Sequence, residues 1–400
     1  MLIPFIAFLV LGIPVAFAIG FAVFLFFFLS GTRIPVLTFT MEMYDGISIG
    51  ALIALPLFIL TGEILTRADI TDKLVAVANA LVGWIRGGLG HVNIVTSMFF
   101  AGISGSAITD TASLGPILIP AMICESFSRS FSAAITAASS IVGPIIPPSI
   151  PIIVIGAQLN ISISGLFAAG ILPGIVIGLA LMTTNYVICV RNNYGEVHLF
   201  EGGVPATITT FKAVPALLIP VILLGGILSG VFTPTEAGAV AASYAALVGV
   251  FVYRTLNLGR LNEALFSAAR VTGSRMLILA TAIVFSRILA FYKIPQEVLE
   301  FLLSILQDKV ILILLIIVMF LIIGMFMDAL VNMIILGPLL MPVLVDGLGF
   351  HPLQFGIFLM VKLLLGLVTP PVGLCLFIAS PIAFVPELTL YIPRILEFAC

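Results

Sequence analysis

Twice in this chain a proline pair interrupts a stretch of apolar sequence long enough to cross a bilayer. The first copy reads Ile141-Val142-Gly143-Pro144-Ile145-Ile146-Pro147-Pro148-Ser149. The second reads Leu364-Leu365-Gly366-Leu367-Val368-Thr369-Pro370-Pro371-Val372-Gly373. Proline removes a backbone donor and clashes with the preceding turn, so neither stretch continues as one unbroken helix. In lipid, the N–H and C=O groups freed by such a break must be met by protein, water or a bound ion. Broken segments at matching places in two halves of a membrane protein point to a transporter binding site.

Composition fixes the solvent. The 400 residues are 62% hydrophobic and 8% charged, with mean hydropathy +1.33. Soluble domains carry about 25% charged residues, so the chain reads as an all-α polytopic membrane protein in a lipid bilayer. The opening run Leu2–Leu29 is too long for a signal-peptide core, and no small-residue cleavage site follows it. It is expected to be a first membrane helix. A net charge of −2 argues against a nucleic-acid partner. Cys124, Cys189, Cys375 and Cys400 show no metal or redox spacing and read as packing residues. His91, His198 and His351 are scattered, and no GxxxxGK[ST] phosphate loop is present, which excludes ATP hydrolysis by that route.

The landmarks recur at a nearly constant offset. Pro147 and Pro370 are 223 positions apart, and Leu114-Gly115-Pro116 recurs 222 positions on as Leu336-Gly337-Pro338. Asp110 and Asp328 precede these two motifs. Gly50–Thr66 falls on Ser274–Ala290, and the amphipathic stretch Ile70–Arg86 on Ile294–Gln307. The opening helix falls on the Gly/Ala-rich stretch Ala237–Tyr253. Two structural repeats are therefore expected, roughly 1–190 and 224–400, joined by a polar loop and a helix over 191–223. The helix Gly165–Val190 should recur from about Tyr391, so the last helix of the second repeat reads as incomplete at Cys400.

Each repeat also holds a span unlike one ordinary helix. Residues 92–122 carry Gly102-Ile103-Ser104-Gly105-Ser106 and Thr109-Asp110-Thr111 at the centre. Residues 311–345 carry Gly324-Met325-Phe326-Met327-Asp328. Apolar arms of about ten residues suit a re-entrant hairpin better than two full spans. With broken helices over 131–160 and 353–382, one side then receives Arg67, Lys73, Arg86, Arg129, Arg191, Lys212, Arg254, Arg260 and Arg270. The other receives Arg33, Lys293 and Lys309. The positive-inside rule assigns the first side to the cytoplasm, and the repeats come out inverted in topology.

Asp110 and Asp328 are the foremost candidates for chemistry, because an acid deep in a membrane segment costs about 2.5–3.5 kcal/mol. The alternative is that each only caps its helix. Ser104, Ser106, Thr109 and Thr111 lie among glycines, where hydroxyls and unwound carbonyls can ligate Na+; small-residue packing is the competing explanation. If the hairpin tip meets the break, Gly105 and this cluster face Pro147, Pro148 and Ser149. Thr369, Pro370, Pro371 and Gly373 then play the same part opposite Asp328 and Asn332. Na+ is thus expected near Ser104, Ser106, Asp110, Asp328 and Thr369. Half-helix N-termini at the breaks would attract a carboxylate. Arg287 lies in an apolar helix and either snorkels or pairs, with Glu63 as a possible partner.

At these residues the chain resembles the large membrane subunit of tripartite ATP-independent periplasmic (TRAP) transporters. The resemblance rests on Ala54-Leu55-Pro56-Leu57-Phe58-Ile59-Leu60-Thr61-Gly62-Glu63, Gly87-Gly88-Leu89-Gly90, Ser104-Gly105-Ser106-Ala107 with Asp110-Thr111, and the motif around Pro147-Pro148. It continues through Phe232-Thr233-Pro234-Thr235-Glu236-Ala237-Gly238 and Thr369-Pro370-Pro371-Val372-Gly373, and so covers essentially the whole chain. The resemblance implies an elevator-type, Na+-coupled importer of small organic acids in a bacterial inner membrane. It implies no cofactor beyond Na+ as coupling ion. It implies two partners, a small four-helix membrane subunit and a periplasmic substrate-binding protein. The small subunit is not expected to be fused ahead of Met1. Two positions depart from the family pattern: Lys362 stands where an Asn is usual, and Gly337 where Thr is common. A lysine near Asp328 would alter or replace a cation site. A Na+/dicarboxylate-type symporter that needs no binding protein is the alternative transporter. An intramembrane aspartyl hydrolase is disfavoured, because its GxGD-type motif is absent and each Asp belongs to its own repeat.

Overall fold

The computed structural model describes residues 2–30, 36–195, 204–294, 297 and 308–384. Among them every regular element is helical, and seven helices or helix runs are long and apolar enough to cross a membrane. The predicted single opening helix is two helices, α1 (Leu2–Val10) and α2 (Val15–Ser30), packed side by side. Gly12 takes φ +78°, and the Ile13 N–H donates to the Phe8 carbonyl at 3.1 Å. This closure ends a helix on a left-handed glycine, and Pro14 then starts the next one.

α3 (Val36–Ile47), α4 (Ala54–Arg67) and α5 (Ile70–Val82) follow. The predicted stripe on α5 is only partly core. Ile70, Leu74 and Val77 are buried, whereas Leu81 and Trp84 are exposed at its end. α6 (Gly88–Ser104) and α7 (Ala107–Cys124) form a helical hairpin. α8 (Arg129–Ser140) and α9 (Ile150–Leu159) are the halves of the first broken helix, and α10 (Ile163–Asn192) packs on both. α11 (Val204–Leu228), α12 (Pro234–Leu247) and α13 (Leu258–Phe291) lead to a second hairpin, α14 (Lys309–Phe326) and α15 (Ala329–Met341). The second broken helix is α16 (Pro352–Gly366) and α17 (Leu374–Phe384). Most of the stretch matched to α5, Ile294–Gln307, and the expected last helix from Tyr391 lie outside the described residues.

The hairpin arms correct the expectation of short arms. α6 and α7 have 17 and 18 residues and α14 has 18, about 25–27 Å at 1.5 Å per residue. Counting apolar residues missed the turns that are helical but rich in Gly, Ser and His, such as Gly88–His91. Both feet of the first hairpin lie together: a Cβ added at Gly195 would sit 3.1 Å from the Gly87 Cα and 3.0 Å from the Phe127 ring.

Packing is reciprocal between the halves. α9 packs on α15, the second arm of the other half's hairpin, and α17 packs on α7. α13, a 34-residue helix, runs along α2, α3 and α4 and also touches α15. Arg287 on α13 pairs with Glu42 of α3, not with Glu63, which instead faces Arg67 at 3.7 Å. Glu63 belongs to its own helix's i,i+4 pair, and α3 lies alongside α13 at the level of Arg287.

Proline inside α15 creates an orphan that other helices satisfy. Pro338 has no N–H for the Ile334 carbonyl four residues back. That carbonyl accepts from Gln158 Nε2 of α9 at 2.7 Å and from Ser286 Oγ of α13 at 3.3 Å. Gln158→Leu and Ser286→Ala should each cost under about 1 kcal/mol, because one donor remains. The double variant should cost about 2 kcal/mol, more than the sum, because the carbonyl is then left bare. Thermal unfolding of the three variants in detergent measures this, and strict additivity would contradict it.

Candidate functional site

The first hairpin turns in two residues. Gly105 adopts φ +57° and ψ +19°, and Ser106 is extended before α7. A Cβ at Gly105 would meet the backbone N of Ile150 at 3.0 Å, so glycine is required both by the left-handed backbone and by the close approach. The tip therefore touches the first residue of α9, just beyond the break. Ser104 ends α6, and its side chain lies outside the described residues.

The break itself spans residues 141–149 and contains a cis Pro147–Pro148 bond. Ser149 caps α9, accepting from the Ile152 N–H at 3.4 Å and donating to the Pro144 carbonyl across the break. Its hydroxyl is thus engaged in holding the break shut. Asp110, in the first turn of α7, is fully buried, with its carboxylate against Gly143. A negative charge there is favoured by the helix N-terminus. Thr111 donates to the Ala107 carbonyl at 2.9 Å. It also lies beside the Cys375 thiol, which is in the fields of both Asp110 and Asp328. Cys375, read from sequence as a packing residue, is buried on α17 within electrostatic reach of both aspartates.

The second hairpin and break follow the same plan with different details. Asp328 caps α15, accepting from the Leu330 N–H at 3.2 Å. Asn332 is buried and donates to the Met327 carbonyl at 3.2 Å. It closes the hairpin by satisfying a carbonyl left free at the end of α14. Thr369 donates to the Leu365 carbonyl at 2.8 Å, and Gly373 takes φ +54° after a cis Pro370–Pro371 bond. The two proline pairs differ in burial: Pro147 and Pro148 are buried, Pro370 and Pro371 exposed. Gly170 and Gly174 of α10 let that helix press on Ile145 and Ile146, which covers the first break.

Both hairpin tips line one small, partly open cavity of about 10 Å³, room for roughly one water. Its walls include Gly105 and Ser106, Pro144 of the first break and Pro151 at the start of α9, Asp328 with the start of α15, and Leu364 and Leu367 at the end of α16. Arg275 of α13 completes it. Ala107 of α7, Pro151 of α9 and Ala329 of α15, each in the first turn of its helix, line this space, so three helix N-termini lend it partial positive charge. Asp110, Thr111 and Cys375 form a second locus at the break. Asn332, Thr369, Pro370, Pro371 and Gly373 are not among the cavity's walls. Lys362 lies in a groove between α10 and α16, with its ammonium 5.9 Å from the Phe358 ring. Arg275 and Asp328 both line the cavity, without an ion pair within 4.0 Å between them. A single charge inside an apolar helix was the available signal for Arg275, but Arg287, on the same helix, drew the attention.

Also missed was a buried polar network that ties α6 to α8. Asn93 Nδ2 donates to Thr136 Oγ1 at 2.6 Å, Ser139 Oγ donates to Asn93 Oδ1 at 3.1 Å, and Ser97 bonds Ser139 at 3.2 Å. Such interhelical bonds hold helices together where lipid offers no hydrophobic drive.

Residues 2–399 match the family described as the DctM component of tripartite ATP-independent periplasmic transporters. The chain is 37% identical to the sialic acid TRAP transporter large permease protein of Vibrio cholerae, over 95% of this chain and 88% of that protein. It is 37% identical to the isethionate TRAP transporter permease protein of Oleidesulfovibrio alaskensis, over 95% of this chain and 59% of that longer protein. It is 36% identical to the 2,3-diketo-L-gulonate TRAP transporter large permease protein of Escherichia coli, over 93% of this chain and 87% of that protein. A multi-pass helical protein with this convergence of hairpin tips and proline breaks, matched from end to end, belongs to the family of TRAP transporter large permease components.

Proposed function

We propose that this chain is the membrane permease subunit of a Na+-coupled, binding-protein-dependent importer of small organic acids in a bacterial inner membrane. The observation that carries this reading is the shared cavity, where three helix N-termini and a guanidinium converge beside an aspartate. Partial positive charge suits a carboxylate or sulfonate, and Asp328 and Asp110 suit Na+. The names of the relatives, on sialic acid, isethionate and diketogulonate, agree with a small anionic substrate. The reciprocal packing of α9 on α15 and α17 on α7 supports two inverted repeats with re-entrant hairpins. Hairpins and broken helices form one packed block beside α13, the arrangement an elevator movement needs. A small four-helix membrane subunit and a periplasmic binding protein are the partners.

The test is uptake into proteoliposomes that hold this chain and its small subunit. An inward Na+ gradient is imposed, and a binding protein is supplied loaded with radiolabelled sialic acid, isethionate or a C4-dicarboxylate. Uptake of one of these acids that requires both Na+ and the binding protein is expected. Uptake of free acid without the binding protein would replace this reading with a simple symporter, and Na+-independent uptake would remove the coupling ion.

A further inference from the structure

Away from the hairpins, the last turns of α13 face α2 and α3 across a partly open cavity of about 410 Å³. The ion pair of Arg287 with Glu42 of α3 lines it. The other walls include Phe26 and Phe27 of α2, Phe39 of α3, and Phe291 and Tyr292. Phe26 meets Tyr292 edge to face with centroids 5.4 Å apart, and Phe27 meets Phe39 in the same way at 6.4 Å. Rings locked against one another thus surround two opposite charges. The contact to Glu42 runs through one Nη1 nitrogen, and the Arg287 side chain is 58% exposed. Further donors of the guanidinium remain for a ligand.

A second cavity, of about 370 Å³, lies between the same three helices, and Phe39 lines both. Its walls include Phe17, Gly20 and Phe21 of α2 with Leu277 and Thr281 of α13. Thr281 donates its hydroxyl to the Leu277 and Ile278 carbonyls at 3.1 Å, so the groove presents an apolar surface. Leu277 lies 10 positions before Arg287, about 15 Å along the helix. That is half the hydrocarbon thickness of a bilayer, the depth of one leaflet. A charged mouth backed by one leaflet's depth of apolar groove fits a lipid better than a small solute.

The charges select the headgroup. A purely anionic headgroup meets Arg287 favourably but is repelled by Glu42. A headgroup that joins a phosphate to a primary ammonium satisfies both, with phosphate on the guanidinium and N–H donors on the carboxylate. The neighbouring aromatic faces also favour the ammonium. A quaternary ammonium has no N–H to give Glu42. We propose that the cavity and groove are a binding site for one phospholipid with a phosphoethanolamine headgroup, its headgroup on the Glu42–Arg287 pair and an acyl chain between α2 and α13. The site is built from α2, α3 and the end of α13, so it does not depend on which ion or acid the hairpin cavity takes.

The experiment is native mass spectrometry of the full chain in detergent, alone and with the small membrane subunit. Each is titrated with dioleoyl phosphatidylethanolamine, phosphatidylglycerol or phosphatidylcholine. Wild type should bind one phosphatidylethanolamine about tenfold more tightly than either other lipid, the scale of one charged hydrogen bond. Glu42→Gln should remove this preference, with phosphatidylethanolamine weakened about tenfold and phosphatidylglycerol strengthened. Arg287→Gln should weaken all three. Gly20→Leu keeps the ion pair but fills the groove: its Cβ sits 3.5 Å from the Thr281 methyl, an ordinary contact. It should weaken all three lipids about equally and leave their ranking intact. Equal binding of the three lipids by wild type would mean annular lipid only and would overturn the proposal. A phosphatidylethanolamine preference that survives Glu42→Gln, or an affinity unchanged in Gly20→Leu, would overturn it as well. Loss of the lipid when the small subunit binds would assign this face to that subunit instead.

Discussion

Gly366→Ala is expected to lower the melting temperature of the detergent-solubilised protein by roughly 5 °C, while Gly337→Ala raises it slightly. Both glycines lie in helices of the second half and neither has positive φ. Their surroundings decide the sign. At Gly366, α16 crosses α14 backbone to backbone: an added Cβ would lie 2.6 Å from the Gly324 Cα and 2.8 Å from its carbonyl carbon. Backbone cannot rotate aside, so the helices must part. Overpacking of this kind costs about 3 kcal/mol, and about 2 °C per kcal/mol is the scale for a chain of this size. At Gly337 the nearest atoms are the Leu159 and Leu359 methyls at 3.4–3.6 Å, ordinary contact distance. Alanine there gains about 1 kcal/mol of helix propensity. Equal shifts in the two variants would show that propensity, not the crossing, controls this region.

The contrast between these glycines also shows what could be read from the residues alone. The break positions were legible, because a proline pair in an apolar run has one local consequence. α8 ends at Ser140 and α9 resumes at Ile150 around the first pair, and α16 and α17 flank the second in the same way. The hairpin tips at Gly105–Ser106 and Met327–Asp328 were legible for the same reason, as short-range turn and cap chemistry. The split of the opening helix at Gly12–Pro14 carried an equally local signal that hydropathy averaging hides. What was not legible is what depends on which helices become neighbours. Periodicity cannot say that Arg287 meets Glu42, that Lys362 faces Phe358, or that Arg275 and Asp328 line one cavity. Nor does the sequence repeat show that α10 buries one proline pair while the other is exposed, since the repeat treats them as equivalent.

Gly143 and Asp110 provide the sharper functional test, because their contact separates packing from chemistry. An added Cβ at Gly143 collides with the Asp110 carboxylate and lies 3.3 Å from the Ser140 carbonyl oxygen. Gly143→Ala should therefore push the carboxylate out of the first break, at about 2 kcal/mol of stability. Na+-driven uptake should fall at least about a hundredfold, the loss that some 2.7 kcal/mol of site distortion produces. Asp110→Ala removes the charge and clears the space together. Combined with Gly143→Ala, it should restore most of the stability, because the methyl now occupies the volume the carboxylate left. Uptake should stay at the level of either single variant, because both act through the same carboxylate. Melting curves and initial uptake rates on the four proteins check this directly. If Asp110→Ala alone transports normally, the buried acid does no more than begin α7, and the ion site must be built around Asp328.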